Sequence, residues 1–122
     1  MTISSTIEQF LQQCGLHGIS MEEGGSLNLT IEATGKLQLL HRPPHFLIGI
    51  NRKVENLYSL DARKILARAH YREKKIKPLH MRLHDNVLGI YYIFGEREID
   101  SSLLSTALDS LTELIEQIFQ TL

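Results

Sequence analysis

The last twenty-two residues constrain the fold most. From Ser101 the chain reads SSLLSTALDSLTELIEQIFQTL, and Leu104, Leu108, Leu111, Ile115, Ile118 and Leu122 recur at alternating steps of four and three. That spacing puts all six on one face of an α-helix. Leu103, Ala107, Leu114 and Phe119 widen the face on either side. Asp100 or Ser101 caps the start by accepting a hydrogen bond from an orphan backbone N–H. A helix apolar over so wide an arc has to cover a large apolar surface, and the rest of the chain must supply it.

The preceding residues supply it as strands. Leu27, Leu29 and Ile31 alternate with Asn28 and Thr30, the period of a half-buried strand. Leu37 and Leu39 alternate with Lys36 and Gln38 in a second strand, after a turn at residues 32–35. Arg42-Pro43-Pro44-His45 ends it, because neither proline has an N–H for a ladder bond. A third strand follows at about Phe46–Ile50. Leu79, Met81 and Leu83 alternate with His80, Arg82 and His84 in a fourth, and Asp85-Asn86 is a two-residue hairpin signal. The fifth strand, Val87–Phe94, reads VLGIYYIF and is apolar on both faces, so it belongs at the centre of the sheet or under cover on both sides.

Two further helices complete the pattern. Ser5 and Glu8 have capping-box spacing, Ile7, Phe10, Leu11 and Cys14 share a face, and Gly15 is a left-handed stop. Cys14 is expected to be a small buried apolar residue. Residues 60–73 form a second helix with a narrow apolar face of Ala62, Ile65, Leu66 and Ala69, and Pro78 forbids helix by Lys77. The order is α-β-β-β-α-β-β-α. The fold class is α+β, a twisted antiparallel sheet packed with helices in a single domain spanning 1–122.

Composition bounds the function classes. With 122 residues, 43% hydrophobic and 22% charged, the chain has the makeup of a globular domain with a real core. No apolar run is long enough to span a bilayer, and no secretory signal is legible. One cysteine cannot form an internal disulfide, which fits a reducing cytoplasm. Net charge is −1, but eleven Lys or Arg fall between Arg42 and Arg82 against three acids, Glu55, Asp61 and Glu73. The flanking segments are acidic. Such a dipole either attracts nucleic acid to its basic part or, more commonly, sets acidic and basic surfaces of one fold, or of two protomers, near each other.

No catalytic pattern is present: there is no glycine-rich phosphate loop, G-x-S-x-G or His-Glu-x-x-His. His80 and His84 share a strand face but lie roughly 13 Å apart along it. His41 and His45 flank the prolines and could approach each other, yet no further ligand completes a zinc set. The chain is therefore read as a non-enzyme with no metal and no cofactor. The stretch Arg63–Lys77 holds seven Lys or Arg in fifteen residues, with Tyr71 as its one aromatic. A small nucleic-acid-binding module using residues 63–77 is the alternative reading. The fifth strand, greasy on both sides, points instead to a protein partner.

The order of elements resembles the class I chaperones of bacterial type III secretion. The residues that carry the resemblance are Gly35-Lys36-Leu37-Gln38-Leu39, Arg52-Lys53 after the third strand, Lys77-Pro78-Leu79 opening the fourth, the fifth strand, and Glu96-Arg97 before Leu103-Leu104. It spans about residues 5–119 and is nearest to a member that acts with a second small chaperone on a secretion gatekeeper. The resemblance implies a bacterial cytoplasmic dimer without ATPase activity that binds the N-terminal segment of a secreted or gatekeeper-type client. The client-binding residues would be Ile7, Phe10, Leu11, Leu27, Leu29, Leu37, Leu39 and Phe46. The dimer contact would take Ile65, Leu66, Ala69, Leu79 and Met81, with a second small chaperone or a second copy. Nucleic acid and stable membrane insertion are not expected. Pro43-Pro44 and the net charge of only −1 depart from the family pattern.

Overall fold

Chain reversals in the sheet are set by residues that cannot continue a strand. Pro43 and Pro44, joined by a cis peptide bond, lie between Arg42 and His45, which pair directly. The prolines are thus a two-residue hairpin loop, and the strands run up to them on both sides. This extends the expected third strand from residues 46–50 to His45–Lys53. Asp85 and Asn86 have φ of 51° and 64° between the paired His84 and Val87. A tight hairpin of the matching twist needs left-handed backbone at both central residues, and Asp and Asn adopt it at low cost.

The computed structural model describes residues 3–16, 18–19, 21, 24–31, 34–54 and 79–120. Its elements are α1 (Ile3–Gln13), β1 (Ser26–Ile31), β2 (Gly35–Arg42), β3 (His45–Lys53), β4 (His80–His84), β5 (Val87–Gly95) and α2 (Ser101–Gln120). The expected helix at 60–73 lies outside the described residues. The sheet order is β1-β2-β3-β5-β4 with every neighbouring pair antiparallel. The greasiest strand, β5, is therefore internal, and among the described residues β1 and β4 are the edges. The fold is α+β, as the sequence pattern implies.

Helix ends follow local chemistry. Asp100 Oδ1 accepts from the Leu103 N–H at 2.7 Å and caps α2. Gly15, at φ 83°, closes α1: the Leu16 N–H reaches Leu11 O at 2.9 Å and the Gly15 N–H reaches Gln12 O at 3.0 Å. That bond pair defines a Schellman stop, which a residue with a side chain resists. At the other end α1 starts at Ile3, so Ser5 and Glu8 lie inside the helix and are not the expected capping box.

One sheet face carries the core. Leu37 and Leu39 of β2, Phe46, Ile48 and Ile50 of β3, and Leu88, Ile90, Tyr92 and Phe94 of β5 are all buried on it. Ile7, Phe10 and Leu11 of α1 and Leu104, Ala107, Leu111, Leu114, Ile115 and Ile118 of α2 cover them. Leu108, expected at the centre of the helix stripe, is only half-buried, while Ala107 and Leu114 are fully covered. The contact line therefore follows steps of three and four through 104, 107, 111, 114 and 118. Tyr92 is buried completely, and its hydroxyl is satisfied by Ser110 Oγ of α2 at 3.0 Å. Asp109 and Glu113 face solvent, and Glu116 pairs with Arg52 Nη1 at 3.2 Å. The Arg52 guanidinium also lies over the Phe119 ring, 4.2 Å from its centre, and locks the end of α2 onto β3.

Candidate functional site

An edge strand presents unpaired backbone groups, the usual template for an incoming chain. Among the described residues β1 has one ladder partner, β2. Its core-side residues Leu27, Leu29 and Ile31 are half-buried and lean on the core, so they are apolar, partly wet and next to free backbone.

What holds β1 in place is a polar clamp on the loop before it. His41 is fully buried. The Gly24 N–H donates to its Nδ1 at 2.9 Å, so Nδ1 is the acceptor and the ring proton sits on Nε2. Nε2–H then donates to Glu96 Oε1 at 2.5 Å. Arg42 Nη1 donates to Gly24 O at 3.0 Å, and the His41 N–H donates to Gly25 O at 2.9 Å. Both ends of the Gly24-Gly25 pair are thus tied to β2, and the Glu96 turn after β5 is tied to the same ring. From sequence alone His41 stands out only as a metal candidate; its part in this clamp emerges from the fold. The signal was present: a histidine on the apolar parity of β2 needs polar partners inside.

The structure corrects several site expectations. Ile7, Phe10, Leu11, Leu37, Leu39 and Phe46 are exposed by 2% or less, so they are core and not surface. A client could meet them only if the helices opened away from the core. Of the proposed client set, Leu27 and Leu29 retain accessible surface. His41 and His45 lie on opposite faces of the sheet, so they do not converge. Cys14 is exposed rather than buried. Partial desolvation, with a smaller contribution from the Asp109 carboxylate, pushes its thiol above the usual range, so it is a weak nucleophile at neutral pH.

At the other edge, β4 carries Met81 half-buried and Leu83 46% exposed on the core-side parity. Leu79, just ahead of β4, is buried in the chain's own core. Ile65, Leu66 and Ala69, like the basic stretch 63–77, lie outside the described residues. Leu83 was not nominated from sequence, although it continues the alternation of Leu79 and Met81. Among the described residues, no group of three or more His, Cys, Asp or Glu side chains is placed to hold a metal ion, and no helix is long and apolar enough to cross a membrane.

No protein-family model and no curated protein sequence matches the chain. Solved structures do. A chain of the HopA1–SchA chaperone–effector complex superposes with a TM-score of 0.73 at 14% identity, over 93% of this chain and 90% of that one. The Yersinia pestis type III secretion chaperone SycH, in complex with a stable fragment of YscM2, gives a TM-score of 0.70 at 18% identity, over 96% of this chain and 99% of the other. An uncharacterised protein from Methanothermobacter thermautotrophicus gives 0.64 at 10% identity, over 95% and 93%. The chain has the α+β fold found in complexes of type III secretion chaperones.

Proposed function

We propose that this protein is a type III secretion chaperone of the bacterial cytoplasm that binds the N-terminal segment of a secreted protein and keeps it export-competent. The observation that carries the reading is the β1 edge. A strand at the sheet edge among the described residues, with half-buried Leu27, Leu29 and Ile31, is held by His41 and Arg42, on a fold shared with SycH and with a chain of the HopA1–SchA complex. An extended client segment pairs with the free backbone of β1 and lays alternate apolar side chains beside these three. No bond is made or broken. Apolar client atoms leave water at roughly 25 cal/mol per Å² before ordering costs are subtracted.

The finer assignment follows the resemblance to SycN, which acts with YscB on the gatekeeper YopN. The client is then gatekeeper-type, and the chain is half of a heterodimer with a second small chaperone. The β4 edge, where Leu83 is open beside Met81, is the described part of that dimer contact.

Affinity purification of the tagged chain from its own cells, with mass spectrometry of what is retained, tests the reading. A small partner chaperone and a secreted protein held through its N-terminal segment are expected. Retention of ribosomes or nucleic acid alone would contradict it.

A further inference from the structure

The sheet face away from α1 and α2 is organised in rows across the strands. Leu40, Leu47 and Ile93 are direct neighbours in register across β2, β3 and β5 and form an apolar row. Leu40 and Leu47 are half-buried, and Ile93 is 37% exposed. On one side of this row lie Arg42 and His45. On the other side Tyr91 stands beside a depression of about 110 Å³ between Gly49 and Gly89. The backbone is closely approached at both positions: a Cβ on Gly49 would fall 2.6 Å from Tyr91 Cβ, and one on Gly89 2.5 Å from Asn51 Oδ1. Gly89 shares its row with Lys36, Asn51 and Arg82, and Arg82 lines the depression.

The charges on this face are mostly positive, with the Glu98 carboxylate at one corner, its Oε1 3.6 Å from where a Cβ on the outward Gly95 would stand. The outward strand residues include the cations Lys36, Arg42, Lys53 and Arg82, and no carboxylate. Asp85, in the hairpin turn at the rim beside His84, is the nearest acid in the β4–β5 sequence. Among the described residues no helix packs on this face.

We infer that this outer face is a docking surface for an acidic polypeptide segment with apolar residues between its carboxylates. The apolar row and the depression take the apolar side chains, and the flanking cations take the carboxylates on both sides. Charge complementarity sets the class of partner. Single-stranded nucleic acid suits the face less well: it binds sheets by stacking on exposed aromatic rings, and here the row is aliphatic. The outward aromatic ring, Tyr91, is already stacked on His80 at 5.2 Å between ring centres. This surface lies on the opposite side of the sheet from Leu27 and Leu29 and stands whether or not the chain serves secretion.

Fluorescence anisotropy with the full chain tests it. The probes are a fluorescein-labelled peptide of mixed Glu and Leu, its Lys and Leu counterpart, and labelled oligo-dT. The acidic peptide is expected to bind, with affinity falling as salt rises. The double variant Lys36→Glu, Arg82→Glu changes only exposed side chains, and Ile93→Ser removes part of the apolar row. Each is expected to weaken the acidic peptide by about tenfold while circular dichroism stays unchanged. No binding of the acidic peptide, equal binding by the variants, or preference for the basic peptide or oligo-dT would overturn the inference.

Discussion

His41 Nε2 lies 2.5 Å from Glu96 Oε1 and joins β2 to the turn that leads into α2. The same ring accepts from Gly24 at its other nitrogen. One buried side chain therefore fixes the entry to β1 and the exit from β5 together. His41→Phe keeps the volume and removes both bonds. It is expected to cost about 1–2 kcal/mol, because a part-buried carboxylate loses its donor while the exposed Gly24 N–H can turn to water. Urea denaturation gives the cost, and hydrogen exchange should show the β1 amides opening before those of β3. Glu96→Gln preserves an acceptor and should cost less.

Phe10 of α1 is fully buried in the core, where α1 packs against α2. Phe10→Asp places a carboxylate in that core, and unfolding is expected rather than a folded protein that has lost its client. The penalty is about 3–5 kcal/mol or more. Thermal melting followed by circular dichroism reads it directly, and a cooperative transition at the parent temperature would show that α1 is not part of the core.

Gly49 has no room for a methyl group, since its Cβ would meet Tyr91 Cβ at 2.6 Å and Ile90 O at 2.8 Å. Both contacts are to atoms fixed by the β3–β5 ladder. Gly49→Ala is expected to destabilise by about 1–3 kcal/mol. Ser102→Ala, on an exposed position of α2, serves as the neutral control in the same urea titration.

The Cys14 thiol is raised above its ordinary range by desolvation and by Asp109. Its thiolate fraction at neutral pH is therefore below that of a free thiol, and grows as pH rises. Alkylation by iodoacetamide should run slower than for free cysteine at neutral pH and converge with it in alkaline solution. Asp109→Asn removes the smaller cause and should speed the reaction modestly. A rate at or above that of free cysteine at neutral pH would contradict the assignment.

Most of the fold was legible because period and turn chemistry agreed. The alternation of β2, the apolar run of β5, the Asp85-Asn86 hairpin, the Gly15 stop and the long C-terminal helix α2 each stand where the sequence placed them. The misses in the client set have a common cause. Apolar residues in α1, β2 and β3 were assigned to a partner, but α2 packs on the sheet and α1 packs on α2, so these residues fill the chain's own core. Periodicity shows that a side chain is buried and does not show against what. Cys14 failed for a local reason: α1 ends at Gln13, so the helical face that the spacing gave to Cys14 does not reach it. The row of Leu40, Leu47 and Ile93 was invisible for another reason. It is assembled from three strands and appears only once their register is known.

Chaperone function is tested most directly by the secreted-protein profile of a strain lacking this chain. Quantitative mass spectrometry of the culture supernatant should show one secreted protein, or a small set, lost or strongly reduced. Re-expression of the parent chain should restore it. An unchanged secreted profile, under conditions where the chain is expressed and secretion is active, would contradict the account.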